Sequence, residues 1–98
     1  MTSTQTMAAP AAALPVEITL AEAGKTLVDL KLALELQAGP VVVVDASQLR
    51  VFDSSAVAVL LELRRLLRAD GKTLQVTHWP RRLEDLMGLY GVGELLAP

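Results

Sequence analysis

The chain has 98 residues, enough for one small domain with a modest core. About half are apolar, chiefly aliphatic, and the net charge is −2, with a single Phe, a single Trp and a single Tyr. That balance speaks against a nucleic-acid binder, which needs a basic face and stacking rings. The absence of cysteine excludes disulfides, thiolate catalysis and Cys-based zinc sites.

No uninterrupted apolar run approaches the roughly 18 residues of a membrane span. Residues 1–13 contain no Lys or Arg, so they lack the charged start of a signal peptide. They read as a flexible tail, or at most a weak edge strand, ahead of a domain over residues 14–98. The expected setting is the cytoplasm, without direct membrane insertion.

Val16 and Ile18 alternate with Glu17, which predicts a short edge strand from Leu14 to Ile18. Thr19-Leu20-Ala21-Glu22 has the form of a capping box. It predicts a helix whose inner face is Leu20, Ala23, Leu27, Leu30 and Leu34. Gly39-Pro40 ends that helix. Val41-Val42-Val43-Val44-Asp45 then predicts a central strand covered on both faces, as in a parallel sheet. Ser47 to Phe52 reads as a polar connection.

A second helix is predicted from Ser54 to Ala69, stopped by Asp70-Gly71. Thr73 to His78 alternates as a strand with one wetter face. Pro80 opens a third helix, Arg81 to about Leu89, with Leu83, Leu86, Met87 and Tyr90 on its apolar side. Gly91-Val92-Gly93 breaks it, and Glu94-Leu95-Leu96 forms a last turn docking back. Strand, helix, strand, helix, strand, helix makes an α/β layer fold: a small, largely parallel sheet with an edge strand and helices packed on it.

Much chemistry is missing. No glycine-rich phosphate loop follows a strand, and no P-loop lysine is present. The one histidine, His78, reads as a partly buried strand-end residue without a metal-ligand set. No catalytic set, cofactor site or metal site is discernible. Arg64, Arg65 and Arg68 form a basic cluster too small to argue for DNA.

The second helix is more informative. At 100° per residue, Ala56, Val59, Leu60, Leu63, Leu66 and Leu67 form a broad stripe for the sheet. Val57 and Leu61 fall away from it, towards Ser54 and Ala58 and among Arg64, Arg65 and Arg68. An outward strip of small and apolar residues, rimmed by arginine, fits a protein-binding face. Asp53 is the natural helix cap, and capping leaves the hydroxyls of Ser54 and Ser55 unexplained.

These residues resemble a STAS domain. The resemblance rests on a strand ending in Asp45, a short link, and Phe52-Asp53-Ser54-Ser55-Ala56-Val57 opening an apolar helix. Bacterial anti-sigma-factor antagonists carry a similar Asp-Ser-Ser, usually followed by Gly where this chain has Ala56. The stretch from Leu86 to Leu96, which contains Leu89-Tyr90-Gly91, is similar to the end of MlaB-type members. The resemblance spans about Val16 to Leu96 and implies a non-catalytic domain that binds a protein. For the MlaB type it implies an ATPase subunit of a phospholipid-trafficking ABC transporter as partner, with Ser54 at the motif's threonine position. For the antagonist type it implies an anti-sigma-factor kinase as partner, with Ser55 as phosphoacceptor. The expected partner-binding residues are Ser54, Ser55, Val57, Ala58, Leu61 and Arg65, with Asp53 as cap. A small hydrolase or ligand-binding module is a third reading, and the missing catalytic set counts against it.

Overall fold

A computed structural model of the protein describes residues 12–92. The valine run forms β3 (Val41–Asp45), which lies between β1 (Ala12–Ala13) and β5 (Thr73–Thr77). Both neighbours are parallel to it, with Ala12 opposite Val44 and Val42 opposite Leu74. A second, two-stranded parallel pair joins β2 (Glu17–Ile18) to β4 (Val51–Phe52). Helix α1 (Ala23–Glu35) packs on α2 (Ser54–Ala69); α1 also meets β1 and β3, and α2 meets β5. Helix α3 (Arg81–Leu89) packs on α2. The result is the expected small α/β fold with three helices and parallel strands.

The core forms between the helices and one face of the sheet. Val42, Val44, Leu74 and Val76 meet Leu30, Leu34, Leu60, Leu63 and Leu67 there. The expectation that β3 is covered on both faces needs correction. Val41 is exposed, and Val43 and Asp45 are only half-buried. Their register partners are Thr73, Gln75 and Thr77, so this face is polar on the neighbouring strand. A β-branched run suits an interior strand for backbone reasons, whether or not its second face is dry.

β1 is too short to pair along all of β3, and a side chain extends it. The Gln37 amide donates to the Val43 carbonyl at 2.8 Å and accepts the Val43 amide at 2.9 Å. It thus supplies both bonds that a further strand residue would make. Lys72 Nζ in turn donates to the Gln37 carbonyl at 3.0 Å.

The first strand is not the continuous Leu14–Ile18 segment expected. Ala12 and Ala13 pair with β3, and Leu14 continues that ladder by donating to the Asp45 carbonyl at 2.8 Å. Pro15 has no N–H to give, and the chain changes partner there. The Val16 carbonyl accepts from Arg50 and Val51, and β2 then pairs with β4. Strand β4 lies inside the segment read as a polar connection.

The capping box forms in part. Glu22 Oε1 accepts from the Thr19 amide and the Thr19 hydroxyl, both at 2.8 Å. The hydroxyl donates to the carboxylate instead of accepting the Glu22 amide. The helix therefore starts later than expected, at Ala23, and Leu20 stays in the preceding turn, 79% exposed. Ala23 and Leu27 pack against the core, and Leu30 and Leu34 are buried in it, as the periodicity predicts.

Helices α2 and α3 span the residues expected, with Pro80 as the α3 cap, one position before the helix. Gly71, at φ +78°, makes the left-handed turn after α2. β5 ends at Thr77, and His78 turns out of it at φ +56°. Residues 1–11 of the expected tail and the Glu94–Leu96 turn lie outside the described residues.

The two faces of β3 give a paired test. Val44→Asp buries an unpaired charge at a cost of several kcal/mol, comparable to the whole stability of a small domain. It is expected to abolish cooperative unfolding followed by circular dichroism. Val43→Asp, on the half-open face, is expected to lower the melting temperature while keeping a cooperative transition.

Candidate functional site

The site is built where β4 hands the chain to α2. Asp53 is extended, at φ −126°, and its Oδ1 accepts the Ser55 amide at 2.8 Å. Its backbone carbonyl accepts the Ala56 amide at 3.0 Å. Oδ2 accepts the Leu20 amide at 3.3 Å, and the Asp53 amide donates to the Ile18 carbonyl at 3.4 Å. One residue therefore caps α2 and ties it to the turn before α1. These amide donors, Ser55 first, hold the Asp53 carboxyl below its ordinary range.

From this cap, α2 runs with its inner stripe as predicted. Ala56, Val59, Leu60, Leu63 and Leu67 are buried, and Leu66 is half-buried. Ser54 and Ala58 are exposed. Leu61 is half-buried, with part of its side chain against the core. Arg65 is exposed and pairs bidentately with Glu62 at 2.9 and 2.5 Å.

Val57 requires a correction. It is only 3% exposed and belongs to the core, not to the outward strip. Its position borders both the core stripe and the strip, and the chain after α3 closes over that side. The residues Ser54, Val57, Ala58 and Leu61 of α2 and Tyr90 and Val92 beyond α3 line one groove. Val57 thus forms the floor of the groove, and Ala58, Leu61 and Tyr90 its walls. Tyr90 was expected on the buried side of α3 but is 55% exposed. It is the α3 C-cap, where the chain turns at Gly91.

Ser54 also borders a second depression, with Phe52, Asp53, Arg82, Asp85, Leu86 and Leu89. The Arg82 guanidinium lies 4.8 Å from the centre of the Phe52 ring. Leu89 beside it is largely exposed. The sequence reading did not include Tyr90, Val92, Leu89, Phe52 or Arg82 in the site. The exposed stripe of Val28 and Leu32 on α1 and Leu36 at its C-cap was also not singled out, although its i, i+4, i+8 spacing was readable.

Ser55 is half-buried, and its amide is taken up by Asp53. The two serines therefore differ in exposure as their angular positions predict. His78 is exposed instead of partly buried; its Nδ1 lies 3.3 Å from Asp45 Oδ1. Asp45 Oδ1 also accepts the Ser47 amide at 2.8 Å, which is the main cause of its lowered pKa. Among the described residues, no cluster of three or more His, Asp or Glu side chains could hold a metal ion. None of the described helices is long and apolar enough to cross a membrane.

The family model described as MlaB, STAS domain, matches residues 5–97. The chain belongs to the MlaB-like STAS domain family. That membership carries a protein-interaction or regulatory role in general terms. No curated protein matches the chain closely enough to narrow this further.

The Asp53 cap has a pH signature. Its folded pKa lies below the unfolded value, so its contribution to stability is present above the unfolded pKa. It is lost as pH falls through the folded pKa. Asp53→Ala is expected to lower the melting temperature at pH 7, and the gap from the unsubstituted chain should narrow as pH drops below about 4. Thermal melts of both proteins across that range check this; a gap independent of pH would contradict the charged cap.

Proposed function

We propose that this STAS domain is a non-catalytic subunit that binds the ATPase of a phospholipid-trafficking, Mla-type ABC transporter and stabilises or regulates it. The observation that carries the reading is the match of nearly the whole chain to the MlaB branch of the family. The α2 face supports it. Ser54, exposed at the helix start, opens onto an apolar groove walled by Ala58, Leu61 and Tyr90. A groove of this kind receives apolar side chains of a protein partner. In this reading the subunit acts in the cytoplasm, at the inner face of the membrane through its partner, and inserts no segment of its own.

The alternative is an anti-sigma-factor antagonist switched by a partner kinase at Ser55. Ser55 is half-buried and Ser54 is exposed, which favours a standing docking surface centred on Ser54.

Ser54→Glu discriminates between the two. A carboxylate in the first turn suits the positive helix end, so the domain is expected to stay folded. The same charge would lose its water among apolar contacts when the partner docks. Binding to the transporter's purified ATPase subunit should be lost, measured by calorimetry. Ser55→Ala should have the smaller effect. Normal binding by Ser54→Glu, together with phosphate on Ser55 in cells, would overturn the transporter reading and favour the antagonist.

A further inference from the structure

The outward strip of α2 changes character along its length. Ser54, Ala58 and Leu61 occupy its first half, and Arg65 and Arg68 continue the same angular positions. Arg64, half-buried, takes the angular position of Val57 about two turns further along one flank. At about 1.5 Å rise per residue, Arg65 stands roughly 6 Å beyond Leu61 along the axis, and Arg68 roughly 10 Å beyond it.

The charges here are unbalanced. Arg65 pairs with Glu62, and among the described residues neither Arg64 nor Arg68 has a carboxylate within ion-pair distance. Helix α1 shows the balanced alternative. Its cations are lysines, and each has a carboxylate four residues on, Lys25 with Asp29 and Lys31 with Glu35. That arrangement is the ordinary solvated helix face. The chain as a whole is acidic, with a net charge of −2, yet this half of the α2 strip holds three guanidinium groups against one carboxylate. Arg68 lies in the last turn, where a cation also compensates the helix dipole. Arg64 and Arg65 precede that turn, and dipole compensation does not account for them. Guanidinium is suited to partly desolvated pairing with carboxylates, because its planar fork binds both oxygens.

We propose that the segment received by this face is acidic and amphipathic. It seats an apolar side chain in the groove of Ala58, Leu61, Tyr90 and Val92. It carries carboxylates one to two helical turns further on, opposite Arg64, Arg65 and Arg68. This rests on the reading of the α2 strip as the docking surface. The two chemistries also orient the partner, with its acidic end towards the α2 C-terminus.

The test measures affinity of the full chain for the transporter's purified ATPase subunit, at low salt and in about 0.5 M salt, where charge pairs are strongly screened. Arg64→Glu/Arg68→Glu is expected to weaken binding by about tenfold or more at low salt, and the loss should shrink at high salt. Arg64→Lys/Arg68→Lys should retain most of the affinity. Lys25→Glu, a charge reversal on α1, should leave it within about twofold. Ala58→Trp fills the groove without adding charge and should abolish binding at both salts. Circular dichroism establishes that each variant is folded, and the single variants Arg64→Glu and Arg68→Glu stand in should the double one not fold.

The outcomes separate the two claims. If Ala58→Trp abolishes binding while the arginine reversals bind normally at both salts, the docking face stands and the acidic partner is wrong. If Ala58→Trp also binds normally, the α2 reading fails and takes this inference with it. Absence of binding by the unsubstituted chain overturns the proposed function and this inference together.

Discussion

Asp53 takes hydrogen bonds from two parts of the chain that are distant in sequence. Its carboxylate holds the first turn of α2 through Ser55 and the turn before α1 through Leu20. Its own amide reaches the Ile18 carbonyl at the end of β2. A helix start has unpaired amides in any case, and a cap acid satisfies them. Here the same acid also fixes where the helix starts relative to the sheet. The rotation of α2 follows from that point, and with it the position of Ser54 outside and Ala56 inside. The orientation of the outer face of α2 therefore depends on this junction.

The rest of the fold keeps α2 in one orientation. Its buried stripe covers Leu74 and Val76 of β5 and packs against Leu30 and Leu34 of α1. Leu83 and Met87 of α3 are buried in the same core. With α1, α3 and the sheet accounted for, Ser54, Ala58 and Arg65 remain outside. The groove requires one thing more, the turn at Gly91, which brings Tyr90 and Val92 alongside Leu61. The groove is therefore a product of two elements, and α2 alone would show only a flat strip.

Helix periods and the valine run were legible in the sequence because they are local. α2 was readable end to end because the period of 3.6 repeats more than four times in it, and the shorter α3 because Pro80 and Gly91 bracket it. The two-residue strands were not. Val51–Phe52 cannot display an alternation, and its pairing with Glu17–Ile18 crosses more than thirty positions. The burial of Val43 depends on what lies opposite it, and that of Leu20 on where the capping interaction lets α1 begin. Tyr90 continues the apolar period of α3 in the sequence, but as the C-cap it sits where the chain turns away and is exposed. Within the site, Asp53, Ser54, Ala58, Leu61 and Arg65 were recoverable from one helix. Tyr90 and Val92 came from tertiary packing, and so did the burial of Val57.

Adjacent serines at a helix start face about 100° apart, so they meet different surroundings. Ser54 continues the strip of Ala58 and Leu61, on the side where the groove opens. Ser55 turns towards Glu62 and the edge of the buried stripe, and its amide is already held by the Asp53 carboxylate. A phosphate on Ser55 would add nearly two negative charges beside that carboxylate and compete with it for the same amide. The cap would then weaken as the modification formed, and the hold on the turn at Leu20 would weaken with it. A switch built on Ser55 would thus act through the junction that positions α2. A contact built on Ser54 would leave that junction intact. With Asp53 engaged on both sides and Ser54 exposed over an apolar groove, the geometry is suited to a partner that binds without first disturbing the cap.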